Sequence, residues 1–212
     1  CELASLQALR EAYDYTYYYD REKVIAMIKL LGNQTKFDQH RIIAENLVKR
    51  LTAMTPGAKV PDFHLLDVDK NTVNLSDYAG KWIYLSFVRV GEPSSISELE
   101  TMAHFHDSIM ARCNNVAFIT VDCDREFQKM YHFLKNTKHS KRYNWTWCHF
   151  GGNHKMLEQF KVVSYPTFLL INPDSQLQYS VTPSPATGFL LRGPWEPKKE
   201  DNQKQFFLDQ YK

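Results

Sequence analysis

Trp82-Ile83-Tyr84-Leu85-Ser86-Phe87-Val88 is a largely apolar run of strand length, and a helical pattern follows it from about Ser95 to Met110. A strand this continuously apolar has no face to give to water, so it belongs at the centre of a sheet covered on both sides. Downstream, Val116 to Val121 is a second such run, followed by a helical stretch from Arg125 to Asn136. Trp145 to His149 is a short strand, Lys155 to Phe160 a short helix, and Thr167 to Ile171 a third apolar strand. Asn172-Pro173-Asp174-Ser175 then turns the chain into an expected final strand, Gln176 to Ser180. Upstream, Thr72-Val73-Asn74-Leu75 alternates as a half-buried strand does. Strands alternating with helices predict an α/β fold: a mixed, mainly parallel central sheet with helices on both faces and an antiparallel hairpin closing one side.

The first 55 residues read differently. Leu3, Leu6, Tyr13, Tyr17, Val24, Ile28 and Leu31 recur at spacings near three and four, and Gly32-Asn33-Gln34 ends the run. A second helix starts near Asp38 with Ile42, Ile43, Leu47, Val48 and Leu51 expected inward, and Thr55-Pro56-Gly57 stops it. Residues 1–55 are therefore expected as an α-helical hairpin extension and residues 56–182 as the α/β domain. Residues 183–212 are expected as an irregular tail, broken by Pro183, Pro185, Gly188, Gly193, Pro194 and Pro197, with a short closing helix at Phe206 to Tyr211.

Composition narrows the function classes. Lysine plus arginine number 26 against 24 aspartate plus glutamate, a net charge of +2 that gives no electrostatic reason to expect nucleic acid. No stretch reaches the roughly 20 apolar residues of a membrane-spanning helix, so no transmembrane segment is expected in this chain. No phosphate loop, dinucleotide fingerprint or G-x-S-x-G elbow is present, and no cofactor is expected. The chain opens on Cys1, the place a lipid-modified cysteine takes in a mature lipoprotein, although Glu2 to Arg10 already reads as helix rather than polar tether. Tyr13, Tyr15, Tyr17, Tyr18 and Tyr19 form an aromatic cluster of which half is expected to pack inward.

Several pieces in order carry a family likeness. Val60-Pro61-Asp62-Phe63-x-Leu65 resembles the opening P-x-F-x-L segment of the TlpA/ResA-type thiol-disulfide oxidoreductases, redoxins of bacterial envelopes within the AhpC/TSA group. Thr72 to Trp82 is similar to their V-x-L-S-D-x-x-G-K run, and Val116 to Asp122 to their strand ending in a V-D turn. Tyr165-Pro166-Thr167-Phe168-Leu169-Leu170-Ile171-Asn172-Pro173-Asp174 resembles P-T-x-F-L-I-D-x-D-G. The likeness covers about 120 of the 212 residues. It implies a thioredoxin-like fold, a periplasmic or cell-envelope location, and a cis peptide bond before Pro166, with the preceding residue offering its backbone to an extended peptide.

The departure falls where that family does its chemistry. Aligned through Phe87, the family's W-C-x-x-C lies on Gly91-Glu92-Pro93-Ser94-Ser95, so Glu92 and Ser95 stand where the two cysteines would be. Dithiol exchange needs a thiolate to attack and a second thiol to resolve the mixed disulfide. Neither a carboxylate nor a serine hydroxyl can do either. What remains reads as a helix start: Pro93 in the first turn, Ser95-Ile96-Ser97-Glu98 as a capping box, and Glu92 near the positive end of the helix dipole. The expected binding groove comprises Gly91, Glu92, Pro93, Ser94, Ser95, Tyr165 and Pro166.

Four cysteines, Cys1, Cys113, Cys123 and Cys148, include no C-x-x-C pair and no zinc spacing. Cys113 and Cys123 flank one strand and sit about 20 Å or more apart, too far to bond. Cys123 and Cys148 end two strands expected to be parallel neighbours, which makes them the one candidate redox pair. Cys148, His149 and His154 form a loose cluster without a further donor at recognised spacing, so no metal is expected. Three functions follow. The first is a redox-inactive module binding an extended peptide or partner protein, or scaffolding one. The second is an atypical thiol oxidoreductase or peroxidase working through Cys123 or Cys148. The third is a structural or regulatory domain of a larger envelope protein.

Overall fold

In the computed structural model the described residues are 21–179 and 182–195. They fall in two compact units, divided after Ala58. The tyrosine cluster, Cys1 and the expected helix at Phe206 to Tyr211 lie outside the described residues.

The first unit is a hairpin of α1 (Arg21–Gln34) and α2 (Asp38–Thr52). Val24, Ile28, Ala44 and Leu51 form its core, with Leu31, Leu47 and Val48 packed against them. Ile42 and Ile43, expected inward, are exposed. The inward face of α2 instead runs through His40, Ala44 and Leu51, because Gly32 of α1 lets the two helices approach closely at Ala44.

The second unit holds one six-stranded sheet in the order β2-β1-β5-β4-β3-β6. Its strands are β1 (His64–Asp67), β2 (Thr72–Asn74), β3 (Trp82–Val88), β4 (Val116–Asp122), β5 (Thr146–His149) and β6 (Thr167–Ile171). Strands β3, β4 and β5 are mutually parallel, in register from Trp82↔Val116 to Val88↔Asp122 and from Ile119↔Thr146 to Asp122↔His149. Strand β6 runs antiparallel to β3 on one side, and the β1–β2 hairpin joins β5 antiparallel on the other. The strand expected at Gln176 to Ser180 does not form. Among its described residues the single bridges Lys59↔Gln176 and Ile171↔Leu177 are made, and Leu170 N–H, which a further ladder bond would use, donates instead to the hydroxyl of Thr182.

Helices α3 (Pro93–Met110), α4 (Phe127–Lys135), α5 (Thr137–Arg142) and α6 (His154–Gln159) complete the unit. Tyr84 and Val88 of β3, Phe118 of β4 and Leu170 of β6 pack with Leu99, Met102 and Phe105 of α3 and with Met130 and Leu134 of α4. On the opposite face Phe87 meets Phe160, which follows α6, and Phe160 meets Phe63. The alternation along β3 sends each aromatic to its own side. This is the mixed α/β architecture of a thioredoxin-like fold. None of the described helices is long and apolar enough to cross a membrane.

Trp195 is 2% exposed and sits in the same core as Tyr84 and Phe105. The segment after Pro183, expected as an irregular tail, makes two 3₁₀ turns, Pro185–Thr187 and Phe189–Arg192, and brings this indole into the domain.

Candidate functional site

The site is the loop between the carboxyl end of β3 and the start of α3, the place where open α/β sheets put their chemistry. The loop Arg89-Val90-Gly91-Glu92 turns back so that Glu92 N–H donates to Arg89 O, 3.0 Å. Helix α3 begins at Pro93, two residues before the expected Ser95, with Glu92 as N-cap. Proline fits this first position because its missing N–H would have no helical partner. The Glu92 carboxylate caps no amide and instead accepts from Arg89 Nη1 at 3.0 Å.

Ser95 is not the start of a capping box. It is fully buried, and its Oγ accepts the N–H of Arg89 at 3.1 Å, tying the loop to the helix from inside. Of the expected groove residues, Ser95 is thus withdrawn from any ligand. Gly91, Pro93 and Ser94 are exposed, and Glu92, Tyr165 and Pro166 are half-buried. The peptide bond between Tyr165 and Pro166 is cis. Arg89 joins the two halves of the groove, its guanidinium 4.3 Å above the Tyr165 ring while it pairs with Glu92.

Beneath the loop lie two carboxyls that the sequence reading did not single out. Asp122 Oδ1 accepts Val90 N–H at 3.1 Å, and Asp124 Oδ2 accepts Gly91 N–H at 2.9 Å. Asp122 is fully buried and Asp124 is 6% exposed. Burial pushes the Asp122 carboxyl up to about 7, and the neighbouring Asp124 adds to that rise. A Cβ on Gly91 would stand 3.2 Å from Asp124 Oδ1, so the close grip on this amide suits glycine. His149 lies behind: its Nε2–H donates to Asp124 O at 2.8 Å and its Nδ1 accepts Gly151 N–H at 3.1 Å. Burial holds this imidazole below its ordinary value, and both ring nitrogens are committed to backbone, so it is neutral and has no lone pair for a metal. Among the described residues no cluster of histidine, cysteine, aspartate and glutamate is arranged to hold a metal ion.

The described cysteines, Cys113, Cys123 and Cys148, are all free and buried. The expected pairing of Cys123 with Cys148 is overturned by register. Strands β4 and β5 are parallel as expected, but Cys148 faces Val121, two residues short of Cys123. That offset puts their Cα atoms about 8 Å apart, beyond a disulfide's reach. Cys123 does come close to the groove, where its thiol meets the side chain of Tyr165, the residue before Pro166. Burial, with Asp122 beside it, pushes the Cys123 thiol up to about 12, and burial pushes Cys148 equally far. Both are thiols, not thiolates, at neutral pH.

A separate cavity of about 380 Å³ opens near β5, lined by Tyr78, Leu134, Lys135, Tyr143, Trp145 and Trp147 among others. Its tyrosine and Trp145 groups are spent internally, on Thr146, Glu100 and Thr120. None of its lining residues belongs to the groove.

Arg89, Asp122 and Asp124 are the site residues that sequence reasoning missed. Asp122 left one signal, closing the V-D turn of the family-like strand. Arg89 left none, since a lone arginine after a strand has no spacing to mark it.

Residues 56–180 match the model of the AhpC/TSA family. Among solved structures, a thiol:disulfide interchange protein from a Bacteroides species aligns with a TM-score of 0.59 at 16% identity, covering 70% of this chain and 96% of that one. A proposed thiol-disulfide oxidoreductase from Bacteroides vulgatus aligns at 0.58 and 23% identity, covering 66% and 96%. A proposed thiol:disulfide interchange protein DsbE from Chlorobium tepidum aligns at 0.52 and 19%, covering 73% and 96%. Likeness at these identities establishes the fold. No curated protein matches the chain.

Proposed function

This chain belongs to the AhpC/TSA family, and from that premise we propose that its thioredoxin-like domain is a redox-inactive binding module of the cell envelope. The module takes an extended peptide or a partner protein along the groove of Gly91, Glu92, Pro93, Ser94, Tyr165 and Pro166. One observation carries the reading: at the start of α3 the residues that the sequence resemblance aligns with C-x-x-C are Glu92, which pairs with Arg89, and Ser95, which is sealed beneath the loop. No sulfur stands where dithiol exchange would begin. Support for the binding role is the exposed rim beside a cis Pro166, where backbone can pair with an added strand. Support for the envelope location is the sequence resemblance to TlpA/ResA-type proteins.

The competing thiol enzyme has one observation in its favour, the Cys123 thiol against Tyr165. Against it, the thiol is 3% exposed and protonated, whereas the attacking species in exchange or peroxide reduction is a thiolate. Reduction of a peptide disulfide by dithiothreitol, followed with and without the protein, separates the two. No acceleration is expected. Turnover that Cys123→Ser or Cys148→Ser abolishes would overturn the reading. Placement of the lost site is checked by Glu92→Cys with Ser95→Cys, which is expected to form one reducible bond, seen as the loss of two titratable thiols. A folded double variant that keeps both thiols free would show that these positions are not the family's pair.

A further inference from the structure

We propose that Asp122 and Asp124 share one proton, and that this proton sets how tightly the site loop is held against the sheet. Asp122 is the last residue of β4, held in register with Val88 of β3 and His149 of β5, and Asp124 lies two residues later. The two carboxyls take adjacent amides of one loop, and each lies in the electrostatic field of the other. Each spends one oxygen on the loop, taking the successive amides of Val90 and Gly91. The second oxygen of Asp122 is buried and unpaired among the described residues, although the Asp124 backbone amide lends the carboxyl some support. Two ionised carboxylates side by side bring four acceptor oxygens and no donor, so a proton on this oxygen, donated to Asp124, is what completes the arrangement.

The surroundings favour placing that proton on Asp122. Lys129 Nζ from α4 is 3.5 Å from Asp124 Oδ1 and supports the charge there. His149 from β5 is neutral and touches Asp124 only through the backbone carbonyl. Cys123 between the two is a protonated thiol. Arg89 in the loop pairs with Glu92 through Nη1 and stacks on Tyr165, and among the described residues it forms no ion pair with Asp122. The upward displacement of the Asp122 carboxyl to about 7 agrees with this geometry.

When solvent base takes the proton, two buried carboxylates face one another across the loop. Asp124, with Lys129 and the nearer route to water, is the member free to move outward, and the Gly91 amide goes with its loss. The loop is therefore gripped below neutrality and eased above it. This rests on the loop geometry and stands apart from what the groove binds.

The test is an amide NMR titration of the whole chain from pH 5.5 to 8.5, following Val90 and Gly91. Both amides should shift together with one midpoint near 7, and the protection factor of Gly91, which removes intrinsic base catalysis, should fall at least tenfold across the range. Asp122→Asn, whose amide can donate to Asp124 at any pH, should abolish the transition and keep Gly91 protected at pH 8.5. Asp124→Asn leaves the buried Asp122 to titrate alone, so the Val90 shift should persist with a lower midpoint while Gly91 stays protected at pH 8.5, the repulsion being gone. Shifts that stay flat in the parent protein, a transition that survives in Asp122→Asn, or a Gly91 protection that still falls in Asp124→Asn would overturn the inference. The parent titration alone decides it if a variant fails to fold.

Discussion

A carboxyl with no access to water is driven to hold its proton or to find a cation, and burial displaces Asp122 in that direction. Its folded-state value of about 7 lies well above the ordinary 3.8. Between those values the folded protein holds a proton that the unfolded chain releases. The sign follows: this group's contribution is fully present below about pH 4, is lost as pH rises, and is gone above about pH 7. The unfolding free energy read from urea titration should therefore fall between pH 5 and pH 8, by an amount on the order of a few kcal/mol for a shift of this size, and the urea midpoint should fall with it. Asp122→Asn removes the titration and should flatten the difference between parent and variant above pH 7, with the variant the more stable at pH 8. A pH dependence of the midpoint identical in both proteins would contradict the buried proton. Burial, with this carboxyl beside it, also pushes the Cys123 thiol up to about 12.

Elements are set by what must pass between them, and the helical hairpin turns on one glycine. Gly32 lies in the last turn of α1, and a Cβ there would sit 2.6 Å from Ala44 Cβ of α2, closer than two carbons can approach. Replacing a helical glycine with alanine ordinarily gains up to about 1 kcal/mol. Here the overpacking, about 1–3 kcal/mol, outweighs that gain. Gly32→Ala should thus loosen the hairpin, seen as faster exchange of the α1 and α2 amides, and adding Ala44→Gly should restore much of the loss. A Gly32→Ala variant with unchanged exchange would show that the crossing is not tight. The sequence reading ended the run at Gly32-Asn33-Gln34, where α1 does end, but spacing alone could not show that Gly32 is also a contact. It misplaced Ile42 and Ile43 for a related reason: period 3.6 defines a stripe, but neighbouring positions compete for its centre until the partner helix is known. Continuous apolar strands such as β3, β4 and β6 were legible because burial on both faces leaves only one composition open to them. The four-residue β1, with only Leu65 fully buried, leaves too little pattern to read. Ser95 was misread because S-x-x-E marks a helix start by composition, while the true start, two residues earlier, was fixed by Pro93 and by the pull of the Ser95 hydroxyl on Arg89. The residues proposed as the groove's rim were readable from motif order. The carboxyls beneath it were not, since their partners are backbone amides more than thirty residues away in sequence.

At the scale of the molecule, the domain does not end where its family likeness ends. The chain beyond Pro183 is held by groups from the sheet and α3: Tyr84 donates to Pro183 O at 3.1 Å, Ser184 to Glu98 at 2.6 Å, and Asn115 to Trp195 O at 3.3 Å. These contacts lay Trp195 edge-on against Phe105 and Trp82, with ring centroids 6.1 and 6.5 Å away. Proline-rich composition hid this, because prolines forbid long elements but do not forbid burial. An indole so placed contributes about as much as any single side chain, and Trp195→Ala should cost about 3–5 kcal/mol, a third or more of what a domain this size has in hand. Trp195→Phe keeps a ring in the space and should cost less, which makes it the variant to compare if the alanine protein is too unstable to purify. A chain cut after Thr182 loses the indole, the Tyr84 acceptor and the Glu98 donor together, and should lose its sharp unfolding transition rather than merely shift it. If instead the truncated chain unfolds as cooperatively and at the same urea concentration as the parent, residues 183–195 are an attachment, and the core is closed by the sheet and α3 alone.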